Sequence, residues 1–369
     1  MSKKLGQQIV ASVFAFAGLV GTVSAKSYSD LVFFGDSLSD TGNVLSLTTA
    51  FAPPPFPAFP GAEGRFSNGP AWTEYLAGDL GFPDSAKPSN LLFLGGTTVI
   101  PIGIPSGQNF SYGGARTGYG GSAGPTTGLL SQLATWALTS PAPDPNALYV
   151  LTIGANDLRD ARTANPDPLS AADSAARSAA AATIAGNVTS AVAYLAQAGV
   201  RHFLVSNAPD LGVTPEAAFL GVQAASTDVS VKFNQDLAAD LTNLDASFLA
   251  ATGIDLDIMN LDFFGLTDAI YNDAINNHGM TYGITNVVAP CILPGPGGEY
   301  FAPDSTDINC SVSASSDGLH PANPMERLLG NLAFSSVPEP GSLALVLLGG
   351  GVLSAGLRRR LSANPARAL

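Results

Sequence analysis

The chain has three histidines, and one of them, His320, stands three residues after Asp317 in the run Asp317-Gly318-Leu319-His320-Pro321. Histidine titrates closest to neutral pH, so its neutral ring can take a proton from a hydroxyl if something holds it in the right orientation. A carboxylate three residues earlier lies on the same side of a helical turn. It can accept from one ring nitrogen while the other faces a nucleophile. The nucleophile such a pair would serve is Ser37, in Phe34-Gly35-Asp36-Ser37-Leu38-Ser39-Asp40-Thr41-Gly42-Asn43. A serine hydroxyl attacks poorly until a neighbouring base takes its proton. Asp36 and Ser37 are also residue types that simply cap a turn. The other two histidines lack a carboxylate at useful spacing: His202, at a strand start, reads as a structural histidine, and His278, between Asn277 and Gly279, as a loop residue.

These residues need elements to bring them together. The apolar run that begins after Asp30 and ends at Gly35 suits a strand buried on both faces. Ala147 to Ile153, Phe203 to Val205 and, less sharply, Ile254 to Leu261 read the same way. Between them, Leu129 to Leu138, Ala171 to Ala198 and Ala217 to Leu249 are Ala-rich and read as helices. Strand alternating with helix predicts a parallel sheet covered on both sides. In such sheets the working site lies beyond the carboxyl ends of the strands. Ser37 follows the first strand there, and a helical turn beginning at it would present free N–H groups to developing negative charge. The Pro-rich piece Pro53 to Pro60 and the Gly-rich piece Gly113 to Gly124 read as surface loops, and Phe56 and Tyr119 mark them as expected walls of a pocket.

Gly35-Asp36-Ser37-Leu38-Ser39-Asp40-Thr41-Gly42-Asn43 resembles the first conserved block of the GDSL (SGNH) lipases and esterases. Asn109-Phe110-Ser111-Tyr112-Gly113-Gly114-Ala115 resembles the second, Gly154-Ala155-Asn156-Asp157 the third, and Asp317 to Pro321 the fifth, all in the family's order. Gly64 to Pro70 and Asn207 to Gly212 are similar to minor landmarks of the same family, so the resemblance runs from about Asp30 to Asn323. It implies a three-layer α/β/α sandwich around a flavodoxin-like parallel sheet of about five strands. It also implies Ser37 as nucleophile, His320 as base and Asp317 as its orienting acid. The oxyanion donors would be the N–H of Ser37, the N–H of Gly113 or Gly114, between which the sequence does not decide, and the amide of Asn156. The implied reaction is hydrolysis of a carboxylic ester, of a lipid or an acylated sugar, through an acyl-enzyme and without a cofactor. Two other readings are an acyltransferase of the same family, in which another hydroxyl replaces water, and a non-catalytic surface matrix or adhesion protein.

Metal chemistry finds little support: there is no His-Glu-x-x-His and no paired Cys-x-x-Cys. Asp255, Asp257 and Asp262 could suggest calcium, but alternation at a strand edge explains them better. The glycines near Gly113 lack the Gly-Lys-Ser/Thr ending of a phosphate loop. A net charge of -13 argues against nucleic acid or anionic lipid as a partner. Hydrophobic residues make up 46% and charged residues 12%, which argues for a folded body.

Both ends read as addresses rather than fold. Residues 1–25 carry Lys3 and Lys4, an apolar run from Ile9 to Val20 and Val23-Ser24-Ala25, the pattern of a signal peptide cleaved after Ala25. Val337-Pro338-Glu339-Pro340, an apolar stretch from Leu343 to Leu357 and Arg358-Arg359-Arg360 resemble the PEP-CTERM sorting signal of Gram-negative bacteria, whose partner is an exosortase. The expected layout is therefore a signal peptide at 1–25, a hydrolase domain at 26–335 and a sorting segment at 336–369, in a protein exported to the cell surface, the matrix or the medium, with transient anchoring in the inner membrane by the carboxyl-terminal helix as a further expectation. In an oxidising compartment Cys291 and Cys310, close together in a Gly/Pro/Asp-rich stretch, are expected to form a disulfide.

Overall fold

The computed structural model describes residues 28–52, 56, 62–140, 142–292 and 309–337. The expected signal peptide, the apolar stretch and basic tail of the sorting segment, and most of the Pro-rich loop lie outside the described residues. Four parallel strands form the central sheet: β1 (Leu31–Gly35), β4 (Leu148–Thr152), β5 (His202–Ser206) and β6 (Asp257–Leu261), in the order β1-β4-β5-β6. A separate antiparallel hairpin pairs β2 (Leu91–Gly95) with β3 (Thr98–Pro101). Every residue of β1 and β4 is buried, as two covered faces require.

The position outside β1 is occupied by an extended segment rather than a full strand. There the Phe33 N–H donates to Gln108 (2.9 Å), and the N–H groups of Phe110 and Tyr112 donate to Phe33 (2.8 Å) and Gly35 (3.2 Å). Counting it, the spatial order is that of a flavodoxin-like sheet of five positions. The segment pairs with β1 as a parallel bridge at Phe33 and Asn109, and the Asn109 side chain ties it to the neighbouring loop, its Nδ2 donating to the Ser39 carbonyl at 2.6 Å.

Alternation along the strands divides the core in two. Val32, Phe34, Tyr149, Leu151, Phe203 and Val205 face one side, while Leu31, Phe33, Leu148, Val150, Leu204 and Leu261 face the other. The first side is covered by α1 (Asn43–Phe51), α3 (Leu129–Thr139), α4 (Ala155–Ala164), α5 (Ala171–Ala198) and α7 (Gln223–Thr252). The second is covered by α2 (Trp72–Leu80), α8 (Phe263–Asn277) and α9 (Asn323–Ser336). The result is a three-layer α/β/α sandwich. Helix α5 is long and apolar enough to cross a bilayer, but its Ile184, Val188, Val192 and Leu195 are buried in the core of this body.

The helix expected over Ala217 to Leu249 is two helices. The short α6 (Pro215–Leu220) stops at Gly221, whose φ of 68° puts it in the left-handed region, and its N–H closes on the Ala217 and Ala218 carbonyls. Helix α7 then starts afresh. Helices α2, α8 and α9 lie in stretches without Ala-rich runs, but the starts of the last two are marked. The Asp262 carboxylate accepts from the Gly265 N–H at 2.9 Å ahead of α8, and a proline occupies the first turn of α9. Two of the three acidic residues near β6 serve the fold: Asp257 meets His202 Nδ1 at 3.0 Å and Asp262 caps α8. His278 closes the carboxyl end of α8 with a φ of 53°.

Candidate active site

The site is assembled at the carboxyl ends of β1 and β4. Gly35 ends β1 where a Cβ would stand 2.6 Å from the Thr152 carbonyl, so only glycine lets the strands stay this close before the chain turns away. Gln132 of α3 clamps that glycine from both sides, accepting from its N–H (2.9 Å) and donating to its carbonyl (2.8 Å). The turn that follows is closed by the Ser39 and Asp40 N–H groups on the Asp36 carbonyl, and the Asp36 carboxylate accepts from Leu38 N–H at 3.0 Å. Ser37 stands half-buried in this turn, and its N–H donates to no described residue.

Asp40 is fully buried and binds this turn to the Gly-rich loop. Its carboxylate accepts from the N–H groups of Gly42 (2.8 Å), Asn43 (2.7 Å), Val44 (3.2 Å) and Gly113 (2.8 Å). Burial raises it to about 6 against the pull of those donors. The two candidate glycines therefore differ. The Gly113 N–H is committed to Asp40, whereas the Gly114 N–H donates to no described residue. Gly114 also holds a φ of 73°, with Ser122 packed where a Cβ would be.

Asn156 enters from the start of α4, just after β4. It is buried, and its Nδ2 donates to the Ala115 carbonyl at 3.0 Å, leaving one N–H of the amide uncommitted among the described residues. The next residue, Asp157, accepts from the Thr117 N–H (3.1 Å) and hydroxyl (3.0 Å), so α4 grips the same Gly-rich loop.

His320 arrives from the other end of the chain. Its Nδ1 lies 2.6 Å from Asp317 Oδ2 and its Nε2 lies 2.8 Å from Ser37 Oγ. The other Asp317 oxygen accepts from the N–H groups of Leu319 (3.0 Å) and His320 (2.8 Å). Burial would raise the Asp317 carboxyl, but the His320 ring and these N–H donors outweigh it and hold the group below the ordinary carboxylate value. The His320 carbonyl in turn accepts from the Ser315 and Ser316 hydroxyls at 3.0 and 3.2 Å. The turn is backed by two N–H bonds from neighbouring chain, Cys291 to the Ser315 carbonyl (3.1 Å) and Ile292 to Ser316 (2.9 Å). Cys291 and Cys310 form a disulfide, S–S 2.04 Å, at the base of this loop.

A largely apolar cavity opens from Ser37 and His320. Its walls come from the loop after β5, with Leu211 and Val213, and from Ile270, Val287, Met325 and Leu329. Neither Phe56 nor Tyr119 is among the described residues that line it, so Tyr119 is not the wall expected of the Gly-rich loop, and the rest of the Pro-rich loop lies outside the described residues. The Tyr119 carbonyl is taken by Gly128 N–H and the Ser131 hydroxyl, so that loop is tied down on α3 and its ring is left exposed. Phe56 instead stacks edge-on against Phe66, whose ring lies 5.1 Å from the His320 ring and fills the space where a Cβ at Gly113 would sit.

The sequence model of the GDSL-like lipase/acylhydrolase family matches residues 31–332. The chain belongs to that family. The PEP-CTERM protein-sorting motif matches residues 336–360, which marks a protein exported with a carboxyl-terminal sorting signal in Gram-negative bacteria. This GDSL chain is 28% identical over 376 residues to the esterase EstA of Pseudomonas aeruginosa, covering 92% of this chain and 51% of that protein. It is also 28% identical over 310 residues to the phosphatidylcholine-sterol acyltransferase of Aeromonas hydrophila, covering 83% and 76% respectively. The thermolabile hemolysin of Vibrio parahaemolyticus is 23% identical over 314 residues, covering 83% and 63%. The chain spans about half the length of the first curated relatives it matches. Gln132, Asp40 and Phe66 touch the segments of the candidate site, although the sequence reading gave none of them a role. Gln132 carries no local signal, and Phe66 sits inside a recognised landmark without one.

Proposed function

We propose that the protein hydrolyses carboxylic esters through an acyl-enzyme formed on Ser37. One observation carries the reading: Ser37 Oγ, the His320 ring and the Asp317 carboxylate form a continuous hydrogen-bonded line, at 2.8 and 2.6 Å. In the first step Ser37 Oγ attacks the ester carbonyl as His320 Nε2 takes its proton. Asp317 accepts from Nδ1, fixing the tautomer that leaves Nε2 free to act as base. The carbonyl oxygen turns negative and is met by the uncommitted N–H groups of Ser37, Gly114 and Asn156. Such donors contribute roughly 2.7–4 kcal/mol each to the transition state. The proton on His320 passes to the leaving alcohol. Water then attacks the acyl-Ser37 ester by the same route and releases the acid. Because the Gly113 N–H is spent on Asp40, Gly114 is the donor this reading assigns.

The apolar lining of the cavity beside Ser37 favours esters with an apolar chain, as lipids or acylated sugars offer. The likeness to an enzyme named phosphatidylcholine-sterol acyltransferase supports a second reading, in which a hydroxyl other than water takes the acyl group. The sorting segment would be removed by an exosortase as the protein leaves the cell. The test is labelling with a fluorophosphonate probe, expected in the wild type and absent in Ser37→Ala, together with product analysis with and without an alcohol acceptor. Labelling that survives in Ser37→Ala would remove the proposed nucleophile, and absence of both labelling and turnover in the wild type would favour a purely structural surface role.

A further inference from the structure

Asn156, Arg159 and Arg162 are spaced three apart on α4 and so lie along one side of the helix. Both guanidiniums converge on one buried carboxylate, Glu216 of α6. Arg159 grips it with two nitrogens, Nε at 3.1 Å from Oε2 and Nη2 on Oε1, and Arg162 Nη2 lies 2.5 Å from Oε2. Glu216 is 3% exposed in its side chain and Arg162 1%, so the pair is held out of water. The third nitrogen of Arg159, Nη1, faces Asn156 Oδ1 at 3.5 Å, the long end of hydrogen-bond reach. The Glu216 main-chain N–H donates to the Gly318 carbonyl at 2.9 Å, inside the turn that carries Asp317 and His320. One residue thus joins the start of α4 to the Asp-x-x-His turn.

Burying Glu216 and Arg162, with Arg159 half-buried beside them, is costly, and such clusters seldom repay it in stability. What they do supply is geometry, because a guanidinium held on a carboxylate by two bonds has its remaining N–H directions fixed. The Asn156 amide needs that. Its oxygen and its nitrogen are nearly the same size, and a flipped amide would aim Oδ1 at the Ala115 carbonyl and at the developing oxyanion. A cation beside Oδ1 favours the orientation in which Nδ2 faces both.

We propose that Glu216 is a positioning residue for the reaction: through Arg159 it sets the orientation of the Asn156 amide. This rests on the assignment of Asn156 as an oxyanion donor. The test is a set of variants assayed on p-nitrophenyl acetate, with circular dichroism to report folding. Glu216→Gln keeps the side-chain shape and the main-chain bond to Gly318 but gives up the charge that holds Arg159. It is expected to lower kcat at least tenfold with KM within twofold of wild type. Arg159→Met leaves Glu216 paired with Arg162 and is expected to show the same split; it serves as the test if Glu216→Gln does not fold. Added to Asn156→Ala, either change is expected to lower kcat by less than a further twofold, because the group being positioned is gone. General damage to the fold would instead multiply in full onto the Asn156→Ala defect, and that result overturns the proposal. So does wild-type kcat in both single variants. If Asn156→Ala itself turns over normally, the oxyanion assignment fails first, and the two failures are told apart.

Discussion

Asp36 precedes Ser37 in its turn and Asp317 holds the His320 ring that meets Ser37, and their surroundings push their protons in opposite directions. Burial raises Asp36 from its ordinary 3.8 to about 7, with the Leu38 N–H and the nearby His320 and Arg159 only partly opposing it, and one of its oxygens has no partner among the described residues. Asp317 is held low. The signs for stability therefore differ. A raised carboxyl keeps its proton in the folded state while the unfolded chain gives it up, so a penalty builds as pH rises from about 4 to about 7. A lowered one contributes stability above the ordinary carboxylate range and loses it as pH falls through its folded value. Calorimetric Tm values for wild type and Asp36→Asn should diverge in favour of the variant between those limits and run parallel above them. A gap that does not change with pH would contradict the environment assigned to Asp36. At the reacting centre, His320→Ala and Asn156→Ala are each expected to cut kcat at least a hundredfold with Tm nearly unchanged, the scale known for a base and for an oxyanion donor. Near-normal turnover in the His320 variant would remove it as the base.

At the scale of elements, the site depends on three junctions, each made by a different device. The end of β1 is brought against β4 by Gly35 and held by Gln132. The Gly-rich loop is tied to the Ser37 turn by Asp40 and to α4 by Asp157. The His320 turn rests on chain closed by the Cys291–Cys310 disulfide, which spans 19 positions. Loop-closure entropy for a ring of that size is worth about 3 kcal/mol. Replacing both cysteines by serine should lower Tm by several degrees. It should also raise amide hydrogen exchange in residues 312–320 ahead of the sheet, since the N–H bonds from Cys291 and Ile292 to that turn lose their staple. Equal exchange in the turn with and without the disulfide would show that the N–H bonds alone suffice. The strands and the long helices could be read from hydrophobic period and alanine content, because those signals repeat over many residues. The break at Gly221 could not, because a single glycine inside a helix-favouring run leaves the choice between continuing and capping to packing.

For the molecule as a whole, every residue assigned to the reaction lies within Tyr28–Val337, which forms one compact unit. A chain limited to residues 26–337, produced in an oxidising compartment, is therefore expected to hydrolyse soluble p-nitrophenyl esters with kcat within twofold of the full chain. A large loss would mean that one of the terminal segments contributes to the folded domain. The sequence alone carried the family through its short motifs, the α/β alternation of the body, and the pairing of Asp317 with His320, because each is settled by neighbours a few residues away. Only the tertiary structure decided that Gly113 is spent on Asp40 while Gly114 is left uncommitted, that the cavity is walled by Leu211, Ile270 and Met325 rather than by Phe56 or Tyr119, and that Glu216 reaches both α4 and the His320 turn. Those outcomes depend on which backbone and side-chain groups meet across distances of tens to hundreds of residues. That is a property of packing, which residue type and spacing do not encode.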